Sequence, residues 1–270
     1  MFSVIIPVYN SQETIELALE SVLKQTRVDL VEEIIVIDDG SVDDSVRVIE
    51  EYKNSVTLPI KLIRQRNAGP AAARNAGIRE AGAEYLAFLD SDDTWEKDKI
   101  EKQYSVIVEN PDADLICGGF SNQPLRILFR KYDGLHKVTL KEYCWKSFIF
   151  TSTVVIHRKH LSEAGLFNED MKYAEDMNFY QRFFRWEGVY YLPEKMAEYG
   201  VGRDFYGQSG LSSNLLKMHR GRKFNFDCLK SEGMITFKFY ILMVLFGDIK
   251  YIRRSFLVWN KKRKVRRERL

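Results

Sequence analysis

Three carboxylates fall within four positions at Asp90-Ser91-Asp92-Asp93, directly after the apolar run Tyr85-Leu86-Ala87-Phe88-Leu89. Crowded carboxylates repel one another, so grouping them is costly unless a cation sits among them. The same residue types also suit a solvated acidic turn that caps the next helix, and on these four residues alone both readings stand. A second acidic pair, Glu175-Asp176, opens a stretch in which Met177, Tyr180, Phe183 and Phe184 recur at helical spacing. The helix dipole alone would stabilise acids there. A carboxylate can also act as a general base, a role that contributes typically ~10²–10⁴-fold.

These residues have to be positioned by the elements around them. The run before Asp90 is apolar on both faces and too short for an ordinary helix, so it reads as a buried strand. Residues 3–8, 34–37 and 60–63 read the same way. Between them, Ile15, Ala18, Leu19, Val22 and Leu23 recur at helical spacing behind Ser11 as N-cap. Ser41 and Asp44 resemble a capping box for a helix to about residue 53, and the alanine-rich 70–81 reads as a third helix. Strand and helix alternating through four strands predict a parallel sheet covered on both faces. In such sheets ligands bind beyond the carboxyl ends of the strands. Three of those ends are polar and turn-rich: Pro7-Val8-Tyr9-Asn10, Asp38-Asp39-Gly40-Ser41 and Asp90-Ser91-Asp92-Asp93. Neither the dinucleotide glycine fingerprint nor the phosphate loop ending in Gly-Lys-Ser/Thr follows the first strand. A diphosphate would then be gripped through a metal held by carboxylates. Further on, 115–120 and 151–156 read as strands, and 123–138 has no secure assignment.

Four motifs, in this order and spacing, resemble family 2 of the nucleotide-sugar glycosyltransferases. They are Val4-Ile5-Ile6-Pro7-Val8-Tyr9-Asn10, Ile37-Asp38-Asp39-Gly40-Ser41, Asn67-Ala68-Gly69-Pro70-Ala71-Ala72-Ala73-Arg74-Asn75-Ala76-Gly77 and Leu89-Asp90-Ser91-Asp92-Asp93. The resemblance covers roughly residues 3–200. It implies an α/β GT-A fold, a mostly parallel Rossmann-like sheet flanked by helices, and inversion at the anomeric carbon. It implies that Pro7 and Tyr9 line the nucleoside pocket, that Asp39 accepts from a pyrimidine N3 with Asp38 supporting the loop, and that Arg74 approaches the base or diphosphate. Asp90 and Asp92 become the Mn2+- or Mg2+-holding pair, with Ser91 between them counted to the nucleotide site and Asp93 alternatively a helix cap. Asp176 matches the general base, with Glu175 beside it. Ser152 and Thr153 are expected near the acceptor. In the Gly/Ser-rich loop 200–214 and just after it, Arg203 and His219 are imperfect matches to a basic residue that reaches the diphosphate.

Composition bounds what remains. The 270 residues, 45% hydrophobic and 29% charged, suit a soluble globular protein. Three scattered cysteines argue for a reducing compartment rather than a disulfide framework. A first strand directly after Met1 reads as the absence of a signal peptide. Residues 250–270 hold ten Lys/Arg and one Glu, so a tail of +9 follows a body that carries −6 of the overall +3. Apolar residues run from 235 to 246 and recur to Trp259, beside these charges. The longest charge-free run, 239–247, is well short of the ~20 residues that span a bilayer. This is the make-up of an amphipathic segment lying on anionic lipid, or of helices packed on the core with a solvated basic end. No fold for nucleic-acid recognition accompanies it.

The organisation expected is a 1–205 catalytic domain, with a nucleotide half to about 95 and an acceptor half to 205, followed by a helical basic extension at 206–270. The function expected is metal-dependent transfer from a nucleotide-sugar, a UDP-sugar by family frequency, to a glycan or lipid-linked acceptor on the cytoplasmic face of the membrane. A nucleotidyltransferase of similar sheet architecture and a non-catalytic assembly subunit are the alternatives, and homo-oligomerisation stays open.

Overall fold

The computed structural model describes residues 1–120, 124–200 and 214–267. The strands are β1 (Phe2–Val8), β2 (Val31–Asp38), β3 (Ile60–Arg64), β4 (Tyr85–Phe88), β5 (Thr94–Trp95), β6 (Leu115–Gly119), β7 (Leu125–Ile127), β8 (Arg130–Tyr132), β9 (His136–Lys137), β10 (Val155–His157), β11 (Val189–Lys195) and β12 (Ala197–Glu198). The α-helices are α1 (Ile15–Leu23), α2 (Ser45–Lys53), α3 (Pro70–Glu80), α4 (Lys99–Glu109), α5 (Leu140–Trp145), α6 (Leu161–Ala164), α7 (Glu175–Gln181), α8 (Leu215–Ser231) and α9 (Phe237–Arg267).

Eight strands form the central sheet in the order β3-β2-β1-β4-β10-β6-β11-β9. The first four are mutually parallel, as the strand–helix alternation requires. β10 runs antiparallel between β4 and β6, and β11 returns parallel to β6. Short two-stranded ribbons pair β5 with β12 and β7 with β8. The segment with no secure assignment thus folds into small β pieces. Six of the seven residues of β1 are buried, which is what cover on both faces demands of a parallel strand. Val4, Ile6 and Val8 alternate on one face of it and pack with Ile15, Ala18, Leu19 and Val22 of α1. β2 departs from the hydrophobic rule at Glu33. Its carboxylate accepts from Ser3 Oγ at 2.8 Å and Gly82 N at 2.7 Å and pairs with Lys61 Nζ at 2.7 Å, so β1, β3 and the loop after α3 close on one buried charge.

The chain forms two compact units, Met1–Asp170 with Asn178–Arg203, and Met171–Met177 with Asp204–Leu270. In the second unit α8 and α9 pair, with Phe226, Leu229 and Met243 buried. Three local expectations are corrected. Ser11 does not cap α1, whose N-cap is Thr14, because Ser11 is drawn into contacts with Ser45 and Ser91. α2 starts at Ser45 and its N-cap is Asp44, because Ser41 accepts the Asn10 N–H instead. Thr151–Thr153 is a 3₁₀ turn, and the strand begins only at Val155.

Candidate active site

The carboxyl ends of β1 and β2 lie side by side, Val8 opposite Asp38. Beyond Val8 the chain turns at Asn10, whose φ of +52° is in the left-handed region that Asn tolerates. Its N–H donates to Ser41 Oγ (3.0 Å), and its Oδ1 accepts from Val42 N (2.9 Å). The two loops are thereby tied, and the Tyr9 ring is left half exposed at their edge. Asp38 is buried. One oxygen accepts from Ser41 N at 3.0 Å, and Arg64 stands 3.5 Å from the other, within ion-pair range but too far for a hydrogen bond.

Asp39 is buried as well, and its carboxylate accepts from Gln65 Nε2 (2.7 Å), Ala68 N (2.8 Å) and Gly69 N (2.8 Å). Of the roughly four acceptor sites on a carboxylate, three already hold the 65–69 turn in place. Gly40 between these loops has φ +77°, and a Cβ there would lie 2.9 Å from the Asn67 backbone N, so no larger residue fits the crossing.

The acidic cluster follows β4. Arg74, buried on α3, pairs through Nη2 with Asp90 Oδ1 at 2.7 Å. Asp92 is partly exposed and lines a cavity of about 300 Å³ with Thr14, Thr94, Glu198 and Tyr199. Ser91 is buried, its Oγ 2.8 Å from Ser11 Oγ. Asp93 does not cap a helix, and α4 takes Asp98 as its N-cap. Its oxygens accept from Ser152 Oγ (2.5 Å) and Gly200 N (3.2 Å). Burial, together with the negative charge of Asp90 and Asp92, pushes its carboxyl up to about 8.

Ser152 and Thr153, expected near the acceptor, are fully buried. The Ser152 hydroxyl donates to Asp93 and accepts from Asp90 N at 3.1 Å, while Thr153 Oγ1 donates to the Phe150 carbonyl at 2.8 Å. Ser152 therefore ties the acidic loop to the 3₁₀ turn that precedes β10. No spacing rule could have revealed a link across 59 and 62 positions.

In the second unit, Glu175 and Asp176 form the first turn of α7. Glu175 is buried and Asp176 partly exposed, with Asp176 Oδ1 accepting from Met177 N at 2.7 Å. The preceding Ala174 has φ +58°, a conformation that costs an L-residue roughly 1–2 kcal/mol. His219 lies on α8 and pairs with Asp248 at 2.9 Å, its ring stacked on Tyr251, so its partners are on α9. Arg203 and most of the Gly/Ser-rich loop lie outside the described residues.

With this geometry in place, similarity to known proteins is informative. The family model described as glycosyl transferase family 2 matches residues 3–164. The chain is 32% identical over 256 residues to the minor teichoic acid biosynthesis protein GgaA of Bacillus subtilis (strain 168), covering 87% of this chain and 53% of GgaA. It is 33% identical over 171 residues to the cholesterol galactosyltransferase of Borreliella burgdorferi, covering 62% of this chain and 46% of that protein. The chain thus spans about half the length of these relatives. In structure it resembles S. aureus TarS 1-349 in complex with UDP-GlcNAc, with a TM-score of 0.67 at 24% identity over 83% of this chain and 65% of that one. The mannosyltransferase PcManGT of Pyrobaculum calidifontis, in complex with GDP-Man and Mn2+, matches with a TM-score of 0.70 at 17% identity, over 93% and 69%. Likeness at these identities speaks to the fold, which is the GT-A fold. With the family model matched over more than half of its length, this chain belongs to glycosyl transferase family 2.

Proposed function

We propose that the chain is a metal-dependent, inverting glycosyltransferase. It moves a sugar from a UDP-sugar to a hydroxyl of a glycan or lipid-linked acceptor in cell-surface polysaccharide assembly. The observation that carries this reading is the convergence of Tyr9, the Asp38–Asp39 turn and the Asp90–Asp92 loop at the carboxyl ends of three adjacent parallel strands. Relatives named for teichoic acid biosynthesis and for galactosyl transfer support the substrate class, and the UDP-GlcNAc complex of TarS supports uridine.

The residues fit a magnesium-like ion. Among the described residues no group of three His, Cys, Asp or Glu forms a ready cage. Such ions instead use one or two carboxylates plus water and substrate phosphates. Asp92, which lines the cavity, is the better placed ligand, with Asp90 beside it on the same loop. Asp92 and Asp90 would hold Mn2+ or Mg2+, which when bound would supply positive charge against the leaving diphosphate. Arg74 holds Asp90 in place and reduces carboxylate repulsion. Tyr9 offers its exposed ring to the base, and Asp39 keeps the 65–69 turn against it. Asp176, with Glu175 beside it, takes the proton from the acceptor hydroxyl, and one displacement inverts the anomeric carbon. Arg203 is the basic residue assigned to the donor loop, whereas His219 lies on α8 and is engaged by Asp248 and Tyr251.

The division of labour follows a 1–205 catalytic domain and a 206–270 extension that docks on the inner face of the membrane. Among the described residues no helix is long and apolar enough to cross a membrane. α9 nevertheless exposes Ile241, Leu245, Ile249, Ile252, Phe256 and Trp259 at steps of three and four residues, with Lys250, Arg253 and Arg254 interleaved.

The test is thermal denaturation with UDP or GDP, with and without Mn2+. The expected result is a rise in Tm with UDP that grows when Mn2+ is added. No rise with either nucleotide would overturn the donor assignment, and a rise indifferent to Mn2+ and Mg2+ would overturn the metal.

A further inference from the structure

The residue leading into the Glu175–Asp176 pair is held in a conformation that its own side chain disfavours. Ala174 sits at φ +58° with no glycine to ease it, and such a residue persists only where its surroundings over-determine it. The dihedral angles at 174 set the direction in which α7 departs, and with it the placement of both carboxylates in the helix's first turn.

α8 meets this turn at two points one helical turn apart. Asn225, fully buried, donates from Nδ2 to the Ala174 carbonyl at 2.9 Å. Gly221, four residues earlier and on the same face of α8, permits close approach of the backbone. A Cβ there would fall 2.4 Å from the Tyr173 carbonyl oxygen and 3.4 Å from Ala174 Cβ. The nearest obstacle is backbone, which has little room to yield. Phe226 and Leu229, buried on α8, keep the helix seated.

We propose that Gly221 and Asn225 are positioning residues for the transfer step: α8 locks the left-handed turn at Ala174 and thereby sets the carboxylates of Glu175 and Asp176. The inference rests on the reading of Asp176 as the base. Neither α8 residue touches reacting atoms; they act through the backbone ahead of the acid. A displacement of about 1 Å at a reacting group can cost ~10²-fold in rate, so a clamp of this kind belongs to kcat.

The experiment uses the full chain and three variants, Asn225→Ala, Gly221→Ala and Asn225→Ala combined with Ala174→Gly. Hydrogen exchange of the peptide over 171–178, which needs no substrate, is read first. Asn225→Ala should speed exchange there while the 1–120 amides keep their wild-type rates, and unchanged exchange at 171–178 would overturn the clamp. Metal-dependent turnover of UDP-GlcNAc and UDP-galactose is read second. Asn225→Ala should lower kcat about 10- to 100-fold with KM for the nucleotide-sugar unchanged. A normal kcat, or a loss confined to KM, would overturn the positioning role. Ala174→Gly in the Asn225→Ala background should recover part of the lost kcat, because glycine adopts this φ without strain. No recovery would make Asn225 a residue of the general fold and overturn the assignment. Gly221→Ala should reproduce the Asn225→Ala signature, and if it does not fold, Asn225→Ala carries the test. Asp176→Asn is assayed in parallel. Retained turnover there would sink the base, whereas lost turnover there with a normal Asn225→Ala would sink only the clamp.

Discussion

Ser152 carries more of the acidic loop than its sequence context suggests. One hydroxyl donates to Asp93 and accepts from the Asp90 backbone, so the 3₁₀ turn ahead of β10 holds both ends of a four-residue turn. Replacing it with alanine leaves a buried carboxyl and a backbone N–H short of a partner, at about 1–3 kcal/mol. For a protein of this size that is roughly 2–4 °C of Tm per kcal/mol. Ser152→Ala should therefore melt several degrees lower and bind UDP with Mn2+ more weakly; an unchanged Mn2+ dependence by calorimetry would detach Ser152 from the metal loop. Asp176→Asn makes the complementary prediction. Turnover should fall by ~10²–10⁴ while UDP affinity stays within experimental error. Loss of both together would identify Asp176 as structural. The residue types of both acidic groups were readable in the chain, but the Arg74–Asp90 and Ser152–Asp93 pairs were not. Each joins residues far apart in sequence through geometry that only folding creates.

At the scale of elements, Glu33 of β2 shows how neighbouring strands and the loop before β4 are fastened together. Burial alone would raise its carboxyl, yet Lys61, the Gly82 N–H and the Ser3 hydroxyl hold it below its ordinary value of 4.5. A depressed acid binds its proton less readily folded than unfolded, so its contribution is complete above the unfolded value and lost as pH falls through the folded one. The Tm advantage of the wild type over Glu33→Gln should accordingly be largest near pH ~7 and shrink below pH ~4. An advantage independent of pH would mean that the ion pair and hydrogen bonds contribute nothing through charge. The elements themselves were largely legible. β1 to β4 and α3 follow from apolar runs and an alanine-rich helix, because parallel strands buried on both faces leave a plain hydrophobic signature. The helix starts were less so. Ser11 and Ser41 have the chemistry of caps, and tertiary partners claimed them first.

At the scale of the molecule, the basic end of the chain predicts an interaction that the catalytic fold does not require. The full chain should float with vesicles containing anionic lipid and not with neutral ones, and added salt should release it because surface charges are screened within about 10 Å at 0.1 M. Leu245→Glu with Ile252→Glu should abolish flotation without altering UDP binding. Flotation indifferent to salt and to these changes would refute lipid docking by α9. Sequence alone determined the family, the alternation of strand and helix, the polar strand ends and the uneven charge, since each is written in residue type and local spacing. Only tertiary structure decided that Ser152 is a buried fastener, that β10 enters the sheet antiparallel, and that an asparagine 51 residues downstream bonds the turn before Asp176. Those decisions depend on which distant backbone and side-chain groups come within about 3 Å of one another, and no local pattern encodes that.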